Sequence, residues 1–167
     1  MDGVNSRVVF EQLLPEILHA VHQVYGERLV TLAVFGSVGR GTPRPDSDID
    51  LLLVAEKLPD GRLRRVSEFE AVETLLAPRL QEAARHGVRT TLSAVIRTRD
   101  EVCRGSLLYL DMLEDARILF DRGAFFARFL DRFRKRLAHL GARRIRRGNA
   151  WYWVLKDDYR IGETFEI

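Results

Sequence analysis

The 167 residues contain a single cysteine, Cys103, which excludes an internal disulfide framework and cannot by itself form a cysteine zinc site. A lone thiol of this kind is expected to be half-buried core filler. Lysine is nearly as scarce: Lys57, Lys135 and Lys156 are the only three among 27 basic residues, so almost all the positive charge is guanidinium, the group suited to bidentate contact with phosphate or carboxylate. No stretch approaches the roughly 20 apolar residues needed to span a bilayer, and the start, MDGVNSRVVFEQLLPE, lacks the basic, apolar and small-residue segments of a leader. A cytoplasmic protein with no membrane partner is expected. Internal repeats and low-complexity linkers are also lacking.

What is present is a balanced composition, 46% hydrophobic and 31% charged with a net charge of +3, which supports one packed domain. Phe10, Leu13, Leu14, Ile17, Leu18, Val21 and Val24 recur at helical spacing up to Gly26, with Ser6 as a candidate cap and Pro15 as the expected start or kink. Leu29 to Phe35 reads as a buried strand. The segment GSVGRGTPRPDS reads as a loop, and Asp48 to Val54 as a second strand. A helical face through Val66, Phe69, Val72, Leu75 and Leu76 is expected to break near Pro78 and stop at Gly87. A third strand is expected from Arg89 to Ile96, a helix from Glu101 to Leu113, a brief strand from Arg117 to Phe120, and a basic amphipathic helix from Ala124 to Leu140. ARRIRRGNAWYWVLK reads as a hairpin turning at Gly148 and Asn149. The fold class is therefore α/β or α+β, with a small mixed β-sheet flanked by helices. Residues 1–120 form the expected core domain and residues 121–167 a helix-and-hairpin extension packed on it.

Asp48 and Asp50 carry the chemistry. On a strand, side chains at i and i+2 share a face, so both carboxylates project together while Ile49 and Leu51 face the core. Two like charges so close raise each other's pKa unless a cation sits between them. Magnesium is the natural one, because it takes one or two carboxylates and completes its shell with water and substrate phosphates. Gly36 allows a turn and close approach of a ligand, and Ser37 offers a hydroxyl and an amide to a phosphate oxygen. If the first two strands are neighbours, the phosphate cradle and the metal site lie at one end of the sheet. That arrangement suits in-line displacement at the α-phosphate of a nucleoside triphosphate.

The stretch FGSVGRGTPRPDSDIDLLLV, a Gly-Ser, ten residues, then Asp-x-Asp, resembles the signature of the polymerase-beta nucleotidyltransferase superfamily. The short chain is most similar to minimal nucleotidyltransferases, which serve as antitoxins to HEPN-domain ribonucleases. The likeness covers the core from about Leu29 to Ile96; LLYLDMLEDARILFDRGAFF and the tail WYWVLKDDYRIGETFEI also resemble a subgroup of these proteins. The resemblance implies a polymerase-beta-like fold with Gly36 and Ser37 on the triphosphate, Arg40 on a phosphate, and Asp48 and Asp50 as magnesium ligands and catalytic residues. It further implies ATP as substrate, a protein hydroxyl as acceptor, and a HEPN toxin as partner in a hetero-oligomer.

Fully active relatives carry a third carboxylate on the next strand, and here Thr91 or Ser93 occupies the facing positions. Asp100 and Glu101, just past that strand, are candidate substitutes for the missing base. The alternatives are a nucleotide-binding antitoxin that acts by protein contact alone, and transfer to a small molecule such as an aminoglycoside. Nucleic acid is not expected as the direct substrate, since the chain has no room for nucleic-acid-holding domains. Between Arg128 and Arg147 nine basic residues face one acid, Asp131, a surface read as solvated or as a contact for RNA, triphosphate or an acidic partner. Trp151 and Trp153 are expected to anchor the tail, with Asp157, Asp158, Glu163 and Glu166 balancing the arginines.

Overall fold

A computed structural model describes residues 6–147 and 150–155, with the backbone alone described at 146, 147, 150 and 151. Helix α1 (Ser6–Tyr25) leads through a 3-10 turn into strand β1 (Leu29–Phe35), followed by short α2 (Gly36–Gly39), β2 (Ile49–Ala55) and α3 (Arg62–Arg85). Then come β3 (Leu92–Arg97), α4 (Arg99–Cys103), α5 (Leu108–Asp115), β4 (Arg117–Asp121), α6 (Phe125–His139), β5 (Arg143–Arg147) and β6 (Ala150–Val154).

The first four strands make one mixed sheet in the order β3-β2-β1-β4. β1 pairs antiparallel with both β2 and β4, whereas β2 and β3 run parallel. A parallel pair needs a long crossover, and α3 supplies it. β1 lies in the middle, covered on both faces, which is why LVTLAVF reads as a continuous apolar run rather than an alternating one. Its one polar residue, Thr31, is fully buried and donates to Asp121 Oδ1 at 2.8 Å. The Asp121 carboxylate also accepts from the backbone N–H groups of Phe126 and Ala127, so one side chain ties the sheet to the start of α6 and satisfies two of its free donors.

α1 starts at Ser6 and runs unbroken through Pro15. Proline inside a helix costs about 3 kcal/mol or more. The eight buried residues of this helix, Val9 to Tyr25, each contribute up to about 1.5–3 kcal/mol for a large side chain, so burial outweighs the lost bond. Ser6 is the first described residue of α1, and its hydroxyl donates to the Pro43 carbonyl at 3.5 Å. α3 likewise continues past Pro78 to Arg85, and its Phe69, Val72, Leu76 and Ala83 pack with α1 against the sheet. The expected helix from Glu101 to Leu113 is two helices, α4 and α5, divided around Gly105 at φ +82°. Cys103 is exposed, because it ends the short α4 whose inward residue is Val102. The third strand begins at Leu92 rather than Arg89.

On the other face of the sheet, Phe126, Phe129, Phe133 and Leu137 of α6 pack with Tyr109, Met112, Val30 and Leu52 in a second apolar cluster. β5 and β6 pair in the register Arg147 to Ala150. Trp153 packs against this second cluster, while Gly148, Asn149, the Trp151 side chain and the four acids at 157, 158, 163 and 166 lie outside the description. Among the described residues, no helix is long and apolar enough to cross a membrane.

Candidate nucleotide and metal site

β2 alternates. Ile49, Leu51 and Leu53 point to the α1/α3 face, and Leu52 and Val54 to the α4–α6 face. By the same period Asp50 belongs to the second face. Asp48 lies one residue before the strand, where it is held from β3's approach: Thr91 Oγ1 donates to Asp48 Oδ1 at 2.7 Å, and Ile49 N–H donates to the Thr91 carbonyl at 2.9 Å. The two carboxylates therefore meet at one end of the sheet although only Asp50 is formally in the strand.

Asp50 sits between Phe35 on β1 and Ser93 on β3 in the strand register. Burial pushes its carboxyl above the ordinary carboxylate range; a hydrogen bond from Ser93 opposes the rise, the Asp48 charge adds to it, and the Arg40 charge reduces it. A site that makes a carboxylate costly in this way is one that a cation would relieve.

Gly36 follows β1 at φ +66°, and a Cβ there would fall on the Asp50 carboxylate. Only glycine gives both the left-handed backbone and the space. The chain then turns into α2: the amides of Arg40, Gly41 and Thr42 donate to the carbonyls of Gly36, Val38 and Ser37. Gly36 and Ser37 thus open a short helix beside the aspartates rather than merely ending a strand. The rest of the loop is pinned, with Ser47 Oγ accepting from Arg44 N–H at 2.9 Å and the Pro45 carbonyl accepting from Arg89 N–H at 2.8 Å. Arg40 reaches Asp115 at the end of α5, Nη1 to Oδ2 at 2.5 Å.

The sheet brings together Gly36, Ser37, Asp48 and Asp50, with Arg40 close enough for its charge to act on Asp50. It does not bring Asp100 or Glu101. Both follow the far end of β3, and from Ser93 to Thr98 a strand extends about 16 Å. Glu101 is moreover fully engaged: both its oxygens accept from Arg65 Nη1, at 3.0 and 2.7 Å, and it closes a capping box with Thr98. These contacts hold its carboxyl below the ordinary range, led by the Arg65 hydrogen bond, which makes it a poor base. Among the described residues no cluster of three His, Cys, Asp or Glu is assembled. The Asp115 partner of Arg40 escaped the sequence reading. Its signal was an acid three residues after Met112, on the buried stripe of α5.

A family model described as nucleotidyltransferase domain matches residues 14–99, just over half of the chain. A Methanocaldococcus jannaschii protein named "putative protein adenylyltransferase" is 28% identical over 127 residues, covering 75% of this chain and 82% of that one. Among solved structures, a toxin-antitoxin crystallised with AMP-PNP is similar at a TM-score of 0.44 and 16% identity, over 77% of this chain and 92% of that one. A toxin-antitoxin MntA-HepT structure is similar at a TM-score of 0.41 and 13% identity, over 78% and 92%. The matched residues contain both strand ends of the site, Gly36 and Ser37 on one and Asp48 and Asp50 on the other, and the chain belongs to the nucleotidyltransferase domain family.

Proposed function

We propose that this chain transfers AMP from ATP to a hydroxyl group on a partner protein. The observation that carries the reading is the pairing of Asp48, just before β2, with Asp50 in it, at the end of the sheet where Gly36 packs against Asp50. The M. jannaschii relative's name supports a protein as acceptor, and the likeness to minimal nucleotidyltransferases points to a HEPN ribonuclease toxin.

The donor set suits magnesium: two carboxylates, one of them costly to ionise unaided, backed by the Thr91 and Ser93 hydroxyls. Bound by Asp48 and Asp50, the ion would neutralise charge on the triphosphate and on the departing pyrophosphate. Gly36 lets the phosphates approach the main chain, Ser37 binds a phosphate oxygen, and Arg40 fixes another. The acceptor oxygen attacks the α-phosphorus, the bond from that phosphorus to the bridging oxygen breaks, and pyrophosphate leaves. The hydroxyl proton has no acceptor on β3, so the receiving group comes from the partner or from solvent.

That same position favours a second reading. With Thr91 and Ser93 where a third acid would stand, the chain in this reading holds the magnesium nucleotide and neutralises its toxin by contact alone. Incubation with α-labelled ATP, magnesium and the partner protein separates the two. Label on the partner that disappears in Asp48→Asn establishes transfer; ATP binding by calorimetry without label leaves the contact reading. Neither label nor ATP binding would overturn both.

A further inference from the structure

Asp115 closes α5 with only 5% of its surface exposed. An acid there faces the negative end of a helix dipole and loses its hydration, two costs that require a compensating partner. The partner is Arg40, with Nη1 at 2.5 Å from Asp115 Oδ2. Arg40 is not needed there to hold its own loop, since its backbone N–H already donates to the Gly36 carbonyl. Its side chain stays about half exposed, at 47%. One of five guanidinium N–H donors goes to Asp115, which leaves a fork for another anion. Its backbone N–H bonds the Gly36 carbonyl at 3.0 Å, and a Cβ at Gly36 would fall on the Asp50 carboxylate, so Arg40 stands one short helical turn from the carboxylate pair.

The main chain makes the same junction. A Cβ at Gly39 would collide with the Asp115 carbonyl oxygen and lie 3.0 Å from that of Val34. The loop after β1 is therefore pressed against the end of α5 at Gly39 and clamped to it one residue later.

We infer that Asp115 is a positioning residue: it holds the Arg40 guanidinium ready over the Asp48/Asp50 site, so that the arginine meets the outer phosphates of a nucleoside triphosphate already oriented. Fixing a long side chain before binding removes an entropic cost that would otherwise weaken the complex. The inference rests on the nucleotide reading above and adds a selectivity to it: the clamp favours triphosphates and is neutral toward monophosphates.

The test is calorimetry with ATP and with AMP, in magnesium, on the full chain and on Asp115→Asn, Arg40→Ala and the double variant, each with its melting temperature. Asparagine keeps the shape and an accepting oxygen but lacks the charge. Asp115→Asn is expected to weaken ATP about 10-fold, the scale of lost outer-shell support, with AMP unchanged. In the Arg40→Ala background it should have no further effect on ATP. Arg40→Ala, at a half-exposed position, should lower the melting temperature by stranding Asp115, and adding Asp115→Asn should restore part of it. Equal losses for ATP and AMP, an unchanged ATP affinity, or additive effects in the double variant would each overturn the clamp. A wild-type chain that binds no ATP overturns the nucleotide reading itself, a result distinct from these.

Discussion

The face of the central sheet covered by α1 and α3 is apolar from end to end, with Leu29, Leu32, Val34, Ile49, Leu51 and Leu53 meeting Phe10, Ile17, Val21 and Val72. The opposite face starts the same way, with Val30, Ala33, Leu52 and Val54 under Phe126 and Met112, then changes to Asp50 and Asp48 at one end of β2. Both faces use the same strands, and along β2 the same two-residue period, while β1 shifts register between Leu29 and Thr31. The difference shows where the molecule accepts an energetic loss: one face is built for cohesion, while the other gives up cohesion over two residues to hold charge beside the Gly36 turn. Stability and chemistry should therefore separate cleanly when either face is altered.

The largest effect is expected at the charged end. On the proposed function Asp50→Asn removes a magnesium ligand rather than its outer support, so label transfer should fall by on the order of 100-fold or more, and yet the fold should be stabilised. The carboxyl's folded pKa lies above its unfolded value, so its contribution to stability is full below the unfolded pKa and is lost as pH rises through the folded one. At neutral pH the ionised group is a net cost that asparagine removes. Without metal, the melting temperature should rise by about 1–3 °C, a fraction of a kcal/mol at this chain length. A drop in melting temperature would show that Asp50 supports the fold and would erase the contrast between the faces.

Ile17→Ala probes the cohesive face. Ile17 is fully buried between α1 and the sheet, and the truncation should cost about 2–5 kcal/mol through lost transfer energy and the cavity left behind. ATP affinity, measured well below the melting temperature, should not move. If it falls in step with stability, the two faces are coupled through the sheet and the separation fails.

Most of this contrast is legible in the amino-acid order. The strand period places Asp50 opposite Ile49 and Leu51, the apolar run of β1 marks a strand buried on both sides, and the helical spacing from Phe10 to Val21 gives the α1 stripe. Local signals misled where tertiary packing overrode them: Pro15 read as a start or kink and Pro78 as a break, but the buried residues on either side carry both helices through. Cys103 read as core filler because a thiol's type says nothing of which side of a five-residue helix it occupies. The pairing of Arg40 with Asp115 joins residues 75 apart, and no local pattern encodes such a distance; it follows only from α5 packing on the α2 turn. The base that Asp100 and Glu101 were candidates for is excluded by strand direction, since a parallel β3 carries them to the other end of the sheet.

The smallest effect turns the comparison into a matter of sign. Arg117 on β4 donates twice to Glu11 on α1, at 2.6 and 2.9 Å, a bidentate pair at the rim of the cohesive face. The Arg117 hydrogen bond holds the Glu11 carboxyl below its ordinary range. Its stabilisation is thus present above the unfolded carboxylate pKa of about 4.3 and lost as pH falls through the lowered folded value. Both groups are about 40% exposed, so the pair is worth only about 0.5 kcal/mol. Glu11→Gln should lower the melting temperature by a degree or two at pH 7, with the difference vanishing toward pH 3. Asp50→Asn should raise it at pH 7, and that difference should also vanish on acidification, as the wild-type carboxyl takes up its proton. Two acids a few residues from the same strands would then carry opposite signs in one pH series, because one was placed to be satisfied by the fold and the other was left for a ligand. Matching signs would mean that Asp50 is satisfied within the protein, and the site would lose its reason to bind a cation.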